Sequence, residues 1–142
     1  DEMTAYQSRT EETLANLTKQ RTILNVRKKK RQALYDALAD VEALAPAKAL
    51  YENGLSGMED EFARYMQAVR PLEQCGIPPD HLTKEKTEVY NQLADLNRQI
   101  RAERKKLDLC REIQTASKQM EEDIRKTETI GKEVEHDEHR RR

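Results

Sequence analysis

With 142 residues the chain has the length of one domain, but charged residues (37%) match hydrophobic ones (36%) and aromatics reach only 4%, which excludes an ordinary compact globule. Ordering costs about 1–2 kcal/mol of backbone entropy per residue, so so little apolar surface suits long helices with a narrow buried stripe. A net charge of −1 excludes a uniformly basic or acidic protein, and apolar residues recurring at helical spacing argue against disorder.

The first helix is predicted over about residues 4–44, with Leu14, Leu17, Leu24, Leu34, Leu38 and Val41 among its apolar positions. It ends ahead of Pro46, because the residue before a proline disfavours the helical region. A second helix, over about 46–70, takes Pro46 into its first turn and carries Leu50, Tyr51, Leu55, Phe62, Tyr65 and Val69. A kink or short break is expected in it at Asn53-Gly54 and Gly57. Gly76 and Pro78-Pro79 form a loop, with Asp80 or Thr83 as N-cap of the third helix.

That third helix covers about 81–132, and Leu82, Val89, Leu93, Leu96, Ile100 and Leu107 follow the 3-4 spacing of a coiled-coil seam. Glu103 falls within the seam, and 107, 110 and 113 are three apart twice, which reads as a stammer. Ile113, Met120, Ile124 and Ile130 continue a sparser stripe. The expected fold is all-α: an elongated three-helix bundle or antiparallel coiled coil with a long third helix, running up, down and up. One helical domain is expected over 1–134, followed by a charged, disordered tail over 135–142. Beyond about Cys110 the third helix lacks an intramolecular partner along its full length, so its stripe folds back, binds a partner or pairs with a second copy.

No apolar run approaches the roughly 20 residues of a membrane span, so no membrane partner is expected. Cys75 and Cys110 in an otherwise unstapled chain point to reduced thiols and a cytoplasmic setting, with a disulfide between them as the alternative. Starting at Asp1 and not at Met, the chain reads as a piece of a longer protein.

The stretch "NVRKKKRQAL" places five cations in succession: Arg27, Lys28, Lys29, Lys30 and Arg31. Five helical residues sweep about 400°, so they cannot share a face, and at least one must bury its stem while its charged head escapes. Lys19 to Tyr35 holds seven cations and no acid. Arg98, Arg101, Arg104, Lys105 and Lys106 form a second basic stretch, which would lie within a few turns of the first if the outer helices run parallel. Acids cluster as well, nine of them against four cations from Glu112 to Glu138, so near-neutrality hides blocks of alternating sign. Two readings stay open. Either the blocks answer one another between helices, or the cations face phosphate and, lacking interleaved aromatics, grip DNA mainly through its backbone.

There is no glycine-rich phosphate loop, and His81, His136 and His139 are scattered. His136 and His139 with Glu135 and Glu138 have helical spacing for a metal but no nearby third ligand. No catalytic residue, metal site or cofactor is expected, and the chain reads as a binding element that is not itself an enzyme.

From Leu72 to Lys126 the chain resembles the helical region that follows the nuclease domain in relaxases (mobilisation nucleases) of Gram-positive plasmids and conjugative transposons. The matching residues are Cys75-Gly76-Ile77, then Leu109-Cys110-Arg111-Glu112-Ile113, then Ser117-Lys118-Gln119-Met120. Relaxases nick one strand at a transfer origin through a tyrosine and a histidine-bound metal, and the paired-histidine motif of that site does not occur here. The resemblance implies a non-catalytic accessory domain of a DNA-nicking protein, with transfer-origin DNA as its partner. Docking of the coupling protein or secretion machinery, or self-association through Ile113–Ile130, would be further roles. A structural coiled-coil spacer, spectrin-like in outline, is the alternative.

Overall fold

A computed structural model describes residues 1–141, with side chains described through Gly131. Three helices follow one another: α1 (Glu2–Glu52), α2 (Glu59–Gln74) and α3 (Pro79–Arg141). The fold is thus an all-α helical bundle with a long third helix, and no strand occurs among the described residues. Two compact units divide the chain, one from Leu17 to Gln99 and the other made of Asp1–Asn16 with Ile100–Arg142. The stretch expected as a tail, 135–142, belongs to α3 by its backbone as far as Arg141; its side chains, and Arg142, lie outside the described residues.

The ends of the helices follow from local chemistry. Asp1 caps α1, its Oδ1 accepting the Met3 N–H at 2.8 Å, where a carboxylate also meets the positive end of the helix dipole. Against expectation, α1 does not stop at Pro46 but carries it inside the helix. A proline deprives the carbonyl four residues back of its donor. That carbonyl belongs to Glu42, and Glu42 and Pro46 are both exposed, so water can satisfy it, while Ala43, Ala45, Ala47 and Ala49 favour the helix. The stop comes at Gly54. Its N–H donates to the Tyr51 carbonyl and the Leu55 N–H to the Leu50 carbonyl, both at 3.0 Å, a Schellman closure that needs the left-handed backbone of Gly54 (φ 90°). The break expected at Asn53-Gly54 and Gly57 therefore separates two helices.

In place of an Asp80 or Thr83 cap, α3 opens with Pro79 at its first position. The Leu82 N–H donates to the Pro78 carbonyl at 3.1 Å, and the Thr83 hydroxyl donates back to the Pro79 carbonyl at 2.9 Å, so Thr83 is an interior helical residue.

In the Leu17–Gln99 unit, α1 and α3 run antiparallel. Arg21 Nη1 donates to Asn97 Oδ1 at 3.2 Å and Arg31 Nε to Glu85 Oε1 at 3.1 Å, so numbers rise along one helix as they fall along the other. The expectation of parallel outer helices is corrected by this register. The buried or half-buried positions Leu17, Arg21, Leu24, Lys28, Arg31, Tyr35 and Leu38 step 4-3-4-3 on α1, and Leu82, Lys86, Val89, Leu93 and Leu96 do so on α3. The shorter α2 lies along the C-terminal part of α1: Tyr51 stacks on Phe62 with ring centroids 4.2 Å apart, and Lys48 Nζ sits 5.0 Å from the Tyr65 ring. Ala37 and Ala68 are buried in one cleft between α1 and α2, small side chains that let two helices approach closely.

In the other unit, Met3, Gln7, Thr10 and Leu14 of α1 share the 3-4 spacing with Ile100, Glu103, Leu107, Cys110 and Gln114 of α3. The expected seam is seen at Ile100 and Leu107, and half-buried Glu103 joins it. The stammer is not: the step after Cys110 lands on Gln114, and Ile113 turns outward. Gln114 Nε2 donates to Gln7 Oε1, so a polar pair keeps the regular period where an isoleucine would have broken it. Cys110 is buried, Cys75 is half-buried, and both are free thiols.

The seam carries the stability and the outer stripe does not. Truncating Ile100, 1% exposed, to alanine is expected to cost about 2–5 kcal/mol in urea denaturation, whereas Ile124→Ala, at a 55% exposed position, changes stability by less than about 0.5 kcal/mol.

Candidate nucleic-acid interface

Ten cations were expected to contact nucleic acid, and the two units divide them. Arg27, Lys28, Lys29, Lys30, Arg31 and Arg98 belong to the Leu17–Gln99 unit, and Arg101, Arg104, Lys105 and Lys106 to the other.

Within the first unit the helical sweep sorts the run by facing. Lys28 and Arg31 fall on the seam and are half-buried. Lys28 Nζ lies 4.9 Å from the centroid of the Tyr90 ring, its stem along the helix pair and its charge over the π-face. Arg31 pairs with Glu85 at 3.1 Å. The same Glu85 Oε1 accepts the Tyr35 hydroxyl at 2.7 Å, so one carboxylate holds two residues of α1. Tyr35 is fully buried; burial, and then the Glu85 carboxylate facing its hydroxyl, push the phenol up to about 12. Arg27, Lys29 and Lys30 point to solvent and make no ion pair among the described residues. Antiparallel packing sets the run opposite Glu85, Lys86 and Tyr90, so it does not join Arg98. Arg98 is exposed and pairs with Asp95 one turn earlier on α3.

In the second unit Arg101, Arg104 and Lys105 are exposed. Lys106 Nζ donates to Glu103 Oε1 at 3.0 Å, and that hydrogen bond holds its ammonium pKa above the ordinary lysine range. An exposed pair of this kind adds little to stability.

Six of the ten cations are therefore exposed and free of an ion pair among the described residues, but Lys28, Arg31, Arg98 and Lys106 are engaged within the fold. Sequence reasoning passed over Glu85 and Tyr90, the residues that draw Arg31 and Lys28 inward. Its usable signal was the seven-residue period, which puts 28, 31 and 35 on the stripe begun by Leu17 and Leu24. Exposed Lys19 shares the outer surface of α1 and enlarges the basic face.

No metal-binding cluster of His, Cys, Asp and Glu occurs among the described residues, and no described helix is long and apolar enough to cross a membrane. No protein-family model, curated protein or solved structure matches the chain.

The Tyr35–Glu85 contact makes stability depend on alkaline pH. A phenol whose folded pKa lies at about 12, against about 10 unfolded, keeps its contribution below pH 10 and loses it as pH rises towards 12, because the unfolded chain sheds its proton first. Denaturation midpoints should fall across that window, and Tyr35→Phe should remove the Tyr35 component of the fall.

Proposed function

We propose that the chain is a non-catalytic helical accessory domain of a conjugative relaxase, supporting transfer-origin DNA binding in the cytoplasm while a separate nuclease domain supplies the chemistry. The observation that carries this reading is the solvent-facing trio Arg27, Lys29 and Lys30, with Lys19 nearby on the same helix, exposed and without an acidic partner among the described residues. A cation paired with a carboxylate must surrender that pair before it meets phosphate, and these do not. Resemblance over Leu72–Lys126 supplies the relaxase context.

Mechanistically, α1 is a continuous helix stiffened by its seam with α3, so the cations are held at fixed spacing. Each neutralised phosphate releases condensed counterions, which gives affinity without sequence reading. No exposed aromatic interleaves the run, so base stacking is not part of the mechanism. Arg101, Arg104 and Lys105 are a second set of candidate phosphate contacts on α3, in the other unit, whereas Arg98 would first have to leave Asp95.

A second reading is a coiled-coil spacer or protein-docking module, including docking of a coupling protein or secretion component. Its support is the row of exposed apolar side chains Ile113, Met120, Ile124 and Ile130, which no DNA contact requires.

Fluorescence anisotropy with single- and double-stranded DNA tests the first reading. With about four phosphates neutralised, affinity should fall by about 10²-fold between roughly 50 and 200 mM salt. The triple change Arg27→Glu, Lys29→Glu and Lys30→Glu should abolish binding with helicity intact, because none of the three holds the seam. Unchanged affinity in that variant sinks the assignment. In contrast, Arg31→Ala should lower stability by about 1–3 kcal/mol, because it strips a charge-assisted bond from half-buried Glu85.

A further inference from the structure

The face of α1 that receives α2 does not end where α2 ends. Ala33 and Ala37 line the cleft shared with Gln67, Ala68 and Pro71 of α2. Stepping back from Ala37 by the same 4-3 spacing gives Ala33, Lys30, Val26, Ile23 and Lys19. Ile23 and Val26 are 56% and 50% exposed, an apolar pair one turn apart. Lys19, Arg27 and Lys30 frame it, and no acid lies between Lys19 and Tyr35.

In the other unit, α3 carries the opposite arrangement. Met120 and Ile124, four residues apart and 66% and 55% exposed, are flanked by Glu121, Asp123 and Glu128, while the helical period turns Glu122, Lys118, Arg125 and Lys126 towards the far side. Asp123 Oδ1 accepts the Gln119 amide, and none of these three flanking carboxylates makes an ion pair among the described residues.

From these two strips we infer that the chain self-associates by docking the Met120–Ile124 strip of one copy on the Ile23–Val26 strip of a second. Charge selects this pairing. An α3 strip laid antiparallel on its own copy sets Glu121 and Asp123 against the same two acids, and an α1 strip on its own copy sets lysine against arginine. Like charges in direct opposition destabilise helix pairs. The cross-pairing buries both apolar pairs and matches cations with carboxylates, and one face already accepts a helix at Ala33 and Ala37. Such a contact joins two different surfaces, so it either closes into a reciprocal dimer or propagates. Two apolar residues a side make it small, hence weak, transient and sensitive to salt. It uses Arg27 and Lys30, so DNA bound as proposed above would compete with it, but the contact itself does not depend on DNA.

Sedimentation velocity of the chain without DNA tests the inference. Between about 10 and 500 µM, the range of a weak interface, the sedimentation coefficient should rise with concentration at low salt and return to the monomer value near 0.5 M salt. Val26→Lys and Ile124→Lys, both at exposed helical positions, should each weaken association by about tenfold or more without loss of helicity. An equal mixture of the two variants should regain association as a dimer and nothing larger, because one intact strip of each kind remains. A monomer at every concentration, variants that associate like the parent chain, or a mixture that fails to associate where the parent succeeds would each overturn the inference. DNA binding is measured separately, so its absence would leave this result unaffected.

Discussion

Glu85 accepts two donors from α1: the Arg31 guanidinium at 3.1 Å and the buried Tyr35 hydroxyl at 2.7 Å. Leucine and valine seams are forgiving, since a slip by one heptad still buries apolar surface. A carboxylate that must meet both a phenol and a guanidinium one turn apart tolerates no such slip, because a half-buried acid stripped of its donors carries a desolvation cost. Arg21 to Asn97 repeats the constraint ten residues back along α1 from Arg31 and twelve residues on along α3 from Glu85. Antiparallel register in the Leu17–Gln99 unit depends on these polar contacts more than on the leucines around them, and the outward-facing residues of α1 and α3 within that unit follow from it.

The same register decides what the basic run can do. Arg31 is spent on Glu85 and Lys28 lies over Tyr90, so the charge left for a ligand is smaller than the five consecutive cations suggest. Lys29 and Lys30 are turned outward by the helical period alone, and with Lys19 and Arg27 they remain the electrostatic surface of α1. Charge that holds the fold and charge that faces solvent thus alternate along a single turn, and substitutions within one tetrapeptide should separate stability from binding.

Much of this fold was legible in the residues. The apolar seam of α3 from Leu82 to Leu107 is buried at every position expected of it, because a seven-residue repeat on a charged helix has only one face to bury. Glu103 joined that seam, and the break near Gly54 appeared where the left-handed backbone was needed. Pro46 and Ile113 were among the features that misled. Pro46 looked like a terminus, yet on an exposed face its orphaned carbonyl costs little. Ile113 looked like the next seam residue, yet Gln114 took the place because Gln7 was there to pair with it. Hydrophobicity identifies a stripe well when its members are apolar and poorly when two amides satisfy each other.

Period, composition and punctuation by themselves determined that this chain is three helices, that the third is long, and which residues of it are buried up to Leu107. They also determined that the charges fall in blocks of alternating sign. Only the tertiary structure decided that α1 and α3 run antiparallel, that Lys28 and Arg31 turn inward, and that Arg27–Arg31 faces Glu85 and Tyr90 instead of Arg98. The physical reason is that a helical repeat is local and nearly the same read in either direction, so it names the buried face but not the partner. Direction and register come from pairwise polar contacts between residues some fifty to seventy-five positions apart, such as Tyr35 with Glu85 and Arg21 with Asn97, and these exist only once the helices are side by side.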